Sequence, residues 1–354
     1  MVCYHGFMGR RTVYNRIYTE EIWAKVNEDN KNLLKDYLAY KTTGGRSPQT
    51  IYQYEQMIRL FFCWNYLHNK DTFFVDLKKR QLVSFFNYAI TEMGWSSNRI
   101  STIKSSLSSM SDYIENVLDD EFPDFRNIVV KLETPVKQTV REKTVMSEEQ
   151  IQDCLDKLVA AKRYQAACYL ALAVSCGARK AELIQFKVNW FTDENIVYGC
   201  MWKTPEQIRT KGHGKQGKLL YKFTFIKSFK PYYEMWMKYR KENNIESEWL
   251  FIVKNDDDTY RQASISTADS ICRTISAFMN TDFYSHCCRH RYVTMMKESK
   301  LPDDVIIALV GWEAGSGGAM CATYCDLDTA DTLGDYFDEN GIKKDIKTGT
   351  LNDI

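Results

Sequence analysis

In the first third of the chain, apolar residues recur three and four positions apart in four successive stretches, which predicts four amphipathic helices. Leu33, Leu34, Tyr37 and Leu38 mark the first, which stops at Gly44-Gly45. Ser47-Pro48 opens the second in cap-and-first-turn order, with Ile51, Tyr54, Ile58, Phe61 and Phe62 facing inward. Leu82, Phe85, Phe86, Ala89, Ile90 and Met93 mark the third, and Ile100, Ile103, Leu107, Met110, Ile114 and Val117 the fourth. Residues 1–29 show no clear period and read as an N-terminal extension. Residues 121–146 carry Pro123 and Pro135 and little periodicity, the mark of an interdomain linker. Ser147 and Gln150 then form a capping-box pair that opens a new helix. Residues 164–174 are nearly all apolar and predict a buried helix. Residues 196–201 and 219–226 read as strands that flank a hairpin tip punctuated by Gly212, Gly214 and Gly217. A short helix follows Pro302, with Val305, Ile306, Leu309 and Val310 as its apolar face, and ends at Gly311-Trp312. A glycine-rich, mobile loop is expected beyond it, carrying Gly315, Gly317 and Gly318 and leading to Tyr324.

The pattern is that of a mainly α chain with a small antiparallel β-sheet. Its 354 residues suit two domains, because single cores usually stop growing before that length. The most apolar run, residues 166–174, is far too short to span a bilayer, so no membrane partner is expected. No signal peptide is visible. Eleven cysteines without paired spacing point to reduced thiols and a cytoplasmic location. The net charge of +1 conceals a strong asymmetry. Residues 203–241 hold eleven Lys and Arg against Glu206 and Glu234, whereas residues 326–354 hold eight acids against three lysines. A concentrated basic stretch keeps a nucleic-acid partner in view where the overall charge alone argues against one.

Four features call for a common explanation: Arg179 just after the buried helix, Lys211 on the basic hairpin, the run His286, Arg289, His290, and Trp312 followed by Tyr324. On a helix, His286, Arg289 and His290 share one face. Together these residues resemble the motifs of the tyrosine recombinase (phage integrase) family. Gly-Ala-Arg-Lys-Ala-Glu-Leu around Arg179 resembles its arginine box, and His-Cys-Cys-Arg-His from His286 its H-x-x-R box. Gly311-Trp312 resembles its His/Trp position, Arg209-Thr210-Lys211 its lysine hairpin, and Tyr324 its nucleophile. The resemblance covers roughly residues 30–330. It implies a helical core-binding, SAM-like domain over 30–120, a catalytic domain over 147–330, and a tail over 331–354 that packs on a neighbouring subunit. It also implies a 3′-phosphotyrosyl intermediate, duplex DNA recombination sites as partner, and a homotetramer on DNA that is monomeric or weakly associated when free. DNA-bound protein of this kind works in the cytoplasm, on the nucleoid in a bacterium.

The chemistry supports that assignment. Attack on a phosphodiester builds charge on the non-bridging oxygens, and the protein has little to do but position and neutralise. Arg179 and Arg289 stay charged and donate in forks to phosphate oxygens; one preorganised donor is worth about a hundredfold or more in rate. Trp312 supplies an indole N–H, His286 a donor that titrates near neutrality, and Lys211 a proton for the departing sugar oxygen. Glu182 and His290 would orient these groups. Lys203, Arg209, Lys215 and Lys218 on the hairpin, and Arg99 and Lys104 on the fourth helix, are candidate DNA contacts. No metal or other cofactor is called for.

Alternatives remain at this level. Lys215 or Lys218 stands beside Lys211 as the acid, and Tyr336 beside Tyr324 as the nucleophile. His286 and His290 with Cys287 and Cys288 fit no zinc spacing, and an arginine among them would repel a cation. The two cysteines read as core packing, and residues 256–258 as a turn. Lysines alternate with Tyr221, Phe223 and Phe225 as in a strand with one wet side. In function, the leading reading is a site-specific recombinase, an integrase of a phage or other mobile element. A resolvase- or topoisomerase-type enzyme and a non-catalytic DNA-binding protein of the same fold are the competing ones.

Overall fold

The computed structural model describes residues 17–133, 135, 144–211, 217–312, 314–324, 337–338 and 341–342, with side chains in the last helix given for 317–322. Lys215, Tyr336 and most of the acidic tail lie outside the described residues. The chain divides into two compact units near residue 142.

The first unit is helical: α1 (Glu20–Lys25), α2 (Glu28–Thr43), α3 (Pro48–His68), α4 (Lys79–Thr91) and α5 (Ser97–Val117). The four helices expected from periodicity are α2 to α5, and Ser47 caps α3 by accepting from Thr50 N at 3.2 Å. Two expectations are corrected here. The stretch taken as an extension contains α1, capped by Thr19, and buries Ile17 and Val26 in the core of this unit. Its period was hidden because six residues are too few to show one. The linker expected from residue 121 does not start there: Phe125, Asn127 and Val129 are buried in the same unit. Asn127 holds the segment down. Its amide nitrogen donates to Asp112 Oδ1 at 2.6 Å, and its oxygen accepts from Val129 N and Val130 N.

The second unit opens with α6 (Glu148–Ala160), capped by the predicted reciprocal bonds of Ser147 and Gln150 at 3.1 and 3.0 Å. Then comes α7 (Tyr164–Cys176), the apolar helix, followed by the single turn α8 (Lys180–Leu183). Five short strands follow: β1 (Ile196–Val197), β2 (Met201–Lys203), β3 (Ile208–Thr210), β4 (Lys218–Leu220) and β5 (Phe223–Phe225). They make two antiparallel sheets, β1-β2-β5 and the hairpin β3-β4. The remaining elements are α9 (Ile226–Glu242), the hairpin β6 (Ile252–Lys254) and β7 (Tyr260–Gln262), α10 (Ile265–Met279), α11 (Ser285–Glu298), α12 (Asp303–Val310), α13 (Ala314–Tyr324) and the two-residue strands β8 (Phe337–Asp338) and β9 (Gly341–Ile342). Residues 256–258 form the β6–β7 turn, with Asp258 at φ 64°. The nine described cysteines are all free thiols.

Packing explains the central place of α7: it is surrounded by α6, α9, α10 and α11. Burying an apolar helix on every side leaves it no wet face, which is why its sequence shows none. A second, smaller core gathers Met201 and Phe225 from the sheet, Tyr292, Val293 and Met296 from α11, Ile306 and Val310 from α12, Trp312, and Cys321 from α13.

Three strand-and-loop expectations change. Residues 196–201 are not one strand, because Tyr198 (φ 54°) and Gly199 (φ 70°) turn the chain back between β1 and β2. Residues 219–226 are two strands in different sheets, broken at Tyr221-Lys222. The break inverts the wet side: Lys222 is buried and Tyr221 is 40% exposed. The glycine-rich stretch before Tyr324 is not a loop but the helix α13. A Cβ on Gly317 would come within 2.3 Å of Ile307 Cδ1, so the missing side chain is what lets α13 lie against α12.

Candidate active site

The first arginine is placed by a glycine. Gly177 ends α7 in the left-handed conformation at φ 56°, and a Cβ there would meet Tyr292 Cδ1 at 2.6 Å. Only glycine meets both demands without strain. Two residues later, Arg179 caps α8. Glu182 turns its carboxylate back to accept from Arg179 N at 3.0 Å and from Arg179 Nη1 at 2.9 Å. The Glu182 side chain is only 1% exposed and that of Arg179 25%, so a buried anion fixes a guanidinium that still reaches solvent.

Arg289, on α11, is fully buried. Its Nη1 donates to Gly177 O at 3.0 Å and its Nη2 to Val310 O at 3.3 Å. These two bonds account for two of the five N–H groups of a guanidinium. Its charge centre lies 5.2 Å from the centre of the Trp312 ring. Trp312 is positioned by Gly311, which ends α12 at φ 79°, and by its own N–H donating to Ile307 O at 3.0 Å. The predicted face of α11 is present: the His286 and His290 rings stand 5.6 Å apart and nearly perpendicular. His290 is buried, whereas His286 keeps an exposed edge. Partial desolvation, then the charges of His290, Arg289 and Arg179, push the His286 imidazole down to about 4. It is therefore neutral at pH 7.

One residue that sequence reasoning missed sits in the middle of this arrangement. Lys222, 1% exposed, places its ammonium 2.8 Å from Glu182 Oε2 and donates to Val310 O at 3.3 Å. Burial opposes the Glu182 charge, but Lys222, the Arg179 N–H and Arg289 outweigh it and hold the carboxyl at about 2. Burial in turn draws the Lys222 ammonium below its ordinary value, with Glu182 offsetting part of the effect. The only signal in the sequence was a lysine in an apolar alternation, which reads as a solvated position.

The other expected residues are placed as follows. Lys211 is exposed at the end of β3, just before the undescribed tip of its hairpin. Arg209 is exposed on β3, its backbone paired with the Gln185 side chain at 2.8 and 3.1 Å. Lys203 lies over the Tyr221 ring at 4.3 Å, and Lys218 begins β4. In the first unit, Arg99 stacks on Trp95 at 4.4 Å, and the Lys104 ammonium donates to the carbonyls of Val130 and Leu132. Cys287 and Cys288 are buried in the core. Tyr324 is the last residue of α13. Among the described residues, no three His, Cys, Asp or Glu side chains converge as metal ligands.

The family model described as the phage integrase family matches residues 144–329, just over half of the chain. The chain belongs to the phage integrase family. Membership makes it a tyrosine recombinase, an enzyme of site-specific DNA recombination. A Bacillus subtilis (strain 168) protein, the SPbeta prophage-derived recombinase-like protein YomM, is 27% identical over 286 residues, which cover 80% of this chain and 83% of that one. Among solved structures, the XerH site-specific recombinase on palindromic difH superposes with a TM-score of 0.62 at 15% identity, covering 87% of this chain and 97% of that one. A lambda integrase tetramer on a Holliday junction gives 0.57 at 14% identity, covering 84% and 77%. The Tn1549 transposon integrase gives 0.57 at 15%, covering 85% and 97%. These likenesses establish the two-domain recombinase fold. No helix among the described residues is long and apolar enough to cross a membrane.

Proposed function

We propose that this recombinase is the integrase of a phage or other mobile element and that Tyr324 is its nucleophile. The phenol attacks a DNA phosphodiester to form a 3′-phosphotyrosyl bond, releasing a 5′-hydroxyl that later attacks the partner strand. One ester replaces another, so rejoining needs no external energy source. Arg179 and Arg289 clamp the non-bridging oxygens. Trp312 and neutral His286 donate to the same phosphate, and Lys211 protonates the leaving oxygen, with Lys215 or Lys218 as substitutes. His290 backs His286, and Glu182 orients Arg179. Lys203, Arg209, Arg99 and Lys104 track the backbone. Four copies synapse two duplex sites, acting on DNA in the cytoplasm. The prophage-derived relative and the DNA-bound transposon and phage enzymes of the same fold support this reading.

One observation carries it. The carbonyl that receives Arg289 belongs to Gly177, two residues before Arg179, so two guanidiniums from distant parts of the chain are anchored to one turn. Two guanidiniums gathered beside a single carboxylate fit a ligand that brings its own negative charge. The test is covalent capture. The full chain is incubated with a randomised, nicked duplex library, and SDS-resistant protein–DNA adducts are recovered and sequenced. The wild type should yield a defined duplex linked at Tyr324, and Tyr324→Phe none. An adduct at another tyrosine would overturn the assignment, and no adduct at all would overturn the catalytic reading.

A further inference from the structure

We infer that Lys222 is a positioning residue for the strand-cleavage step, the link that closes a ring of bonds holding both arginines. This inference rests on the phosphodiester-cleaving role proposed for Arg179 and Arg289. The ring can be followed bond by bond. Arg179 donates to Glu182 at 2.9 Å, and Glu182 receives Lys222 at 2.8 Å. Lys222 donates to Val310 O at 3.3 Å, and the same carbonyl receives Arg289 at 3.3 Å. Arg289 donates to Gly177 O at 3.0 Å, and Gly177 leads through Ala178 back to Arg179. Lys222 thus joins the Glu182 side of this ring to the Val310 side.

Placement argues against Lys222 as the proton donor itself. Its ammonium is enclosed and bonded both to a carboxylate and to a carbonyl, so its contribution is geometric and electrostatic. Three cations, Arg179, Lys222 and Arg289, surround one carboxylate, an excess of positive charge suited to the developing charge of a pentacoordinate phosphorus. The residue also reaches the lysine hairpin. Its N–H donates to Thr204 Oγ1 at 3.1 Å and its carbonyl accepts from Thr204 N at 2.9 Å, two residues beyond β4. Leu220 of β4 closes on Gly311, where a Cβ would meet its Cδ1 at 2.3 Å. The hairpin bearing Lys211, the arginine turn and the Trp312 turn thus meet at Lys222.

The test uses the full chain and the duplex recovered by covalent capture, nicked so that cleavage is trapped. Duplex affinity and single-turnover cleavage rate are measured separately. Lys222→Met should slow cleavage by roughly thirtyfold or more while duplex affinity stays within about threefold. Lys222→Arg, which keeps the charge, should recover part of the rate. In an Arg179→Lys background, Lys222→Met should cost clearly less than in the wild type, because only the Arg289 half of the ring is left to position. Equal penalties in both backgrounds, or wild-type cleavage by Lys222→Met, would overturn the inference. If Lys222→Met does not fold, the charge-neutral pair Lys222→Met/Glu182→Gln replaces it, and wild-type cleavage by that pair overturns the inference equally. Absence of any wild-type adduct would instead sink the catalytic reading on which it rests.

Discussion

Glu182 shows how much one buried side chain can govern. Its carboxylate, held at about 2 against an ordinary 4.5, is stabilised by roughly 3 kcal/mol in the folded chain. The unfolded chain takes up that proton near pH 4.5 and the folded chain only near 2, so the stabilisation is complete above 4.5 and fades as pH falls towards 2. Glu182→Gln should therefore lower the melting temperature at pH 7 by roughly 6–12 °C and flatten the acid limb of the stability curve, as calorimetry across pH would show. His286 acts in a higher window. It protonates at about 6.5 when unfolded and about 4 when folded, so acidification between those values favours the unfolded chain. His286→Gln should remove that slope while leaving stability at pH 8 unchanged. The shared face of His286, Arg289 and His290 on α11 was legible from helical spacing, whereas Arg179 stood out in the sequence only through the other motifs it accompanies. Lys222 was not legible, since a lysine between apolar neighbours looks solvated until the strand is seen to break beside it.

Among the elements, α13 departs furthest from the pattern. Glycines at 315, 317 and 318 argue for a loop, because each costs a helix up to about 1 kcal/mol relative to alanine. Tertiary packing overrides that preference: Gly317 meets Ile307 of α12, and Cys321, one turn on, is fully buried in the same small core. The two adjacent glycines should therefore respond in opposite ways. A Cβ on Gly318 meets nothing within 4 Å, so Gly318→Ala should raise the melting temperature slightly through helix propensity. Gly317→Ala should lower it and slow adduct formation, because the helix ending in Tyr324 is pushed off α12. Ile307→Ala in the same chain should restore both. Equal effects at the two positions would show that α12 does not set the placement of α13. The amphipathic helices α2 to α5 were readable from period alone. By contrast, α13, α1 and the β1–β2 turn are too short, or too dependent on neighbours, to leave a period.

At the scale of the molecule, the buried cores are separate in sequence. Among the described residues, the buried positions of one core fall within 17–129, and those of the other two within 146–321. A chain beginning at residue 144 should therefore keep the apolar packing of its own cores intact and melt cooperatively within a few degrees of the second transition of the full protein. DNA binding should not survive as well. Residues 31–115 carry eleven Lys and Arg against seven acids, and residues 203–241 eleven against two, so both units are expected to touch the DNA backbone. Each phosphate neutralised contributes about 0.9 to the slope of log affinity against log salt. Removing the first unit should thus reduce that slope by about 0.9 for every phosphate this unit neutralises, while the sequence preference contributed by the second unit is retained. Titrations of the captured duplex at several salt concentrations, with both chains, measure the difference directly. An unchanged slope would confine phosphate neutralisation to the second unit. It would also leave Arg99 and Lys104 to the roles visible in the fold, one stacked on Trp95 and the other holding the carbonyls of Val130 and Leu132.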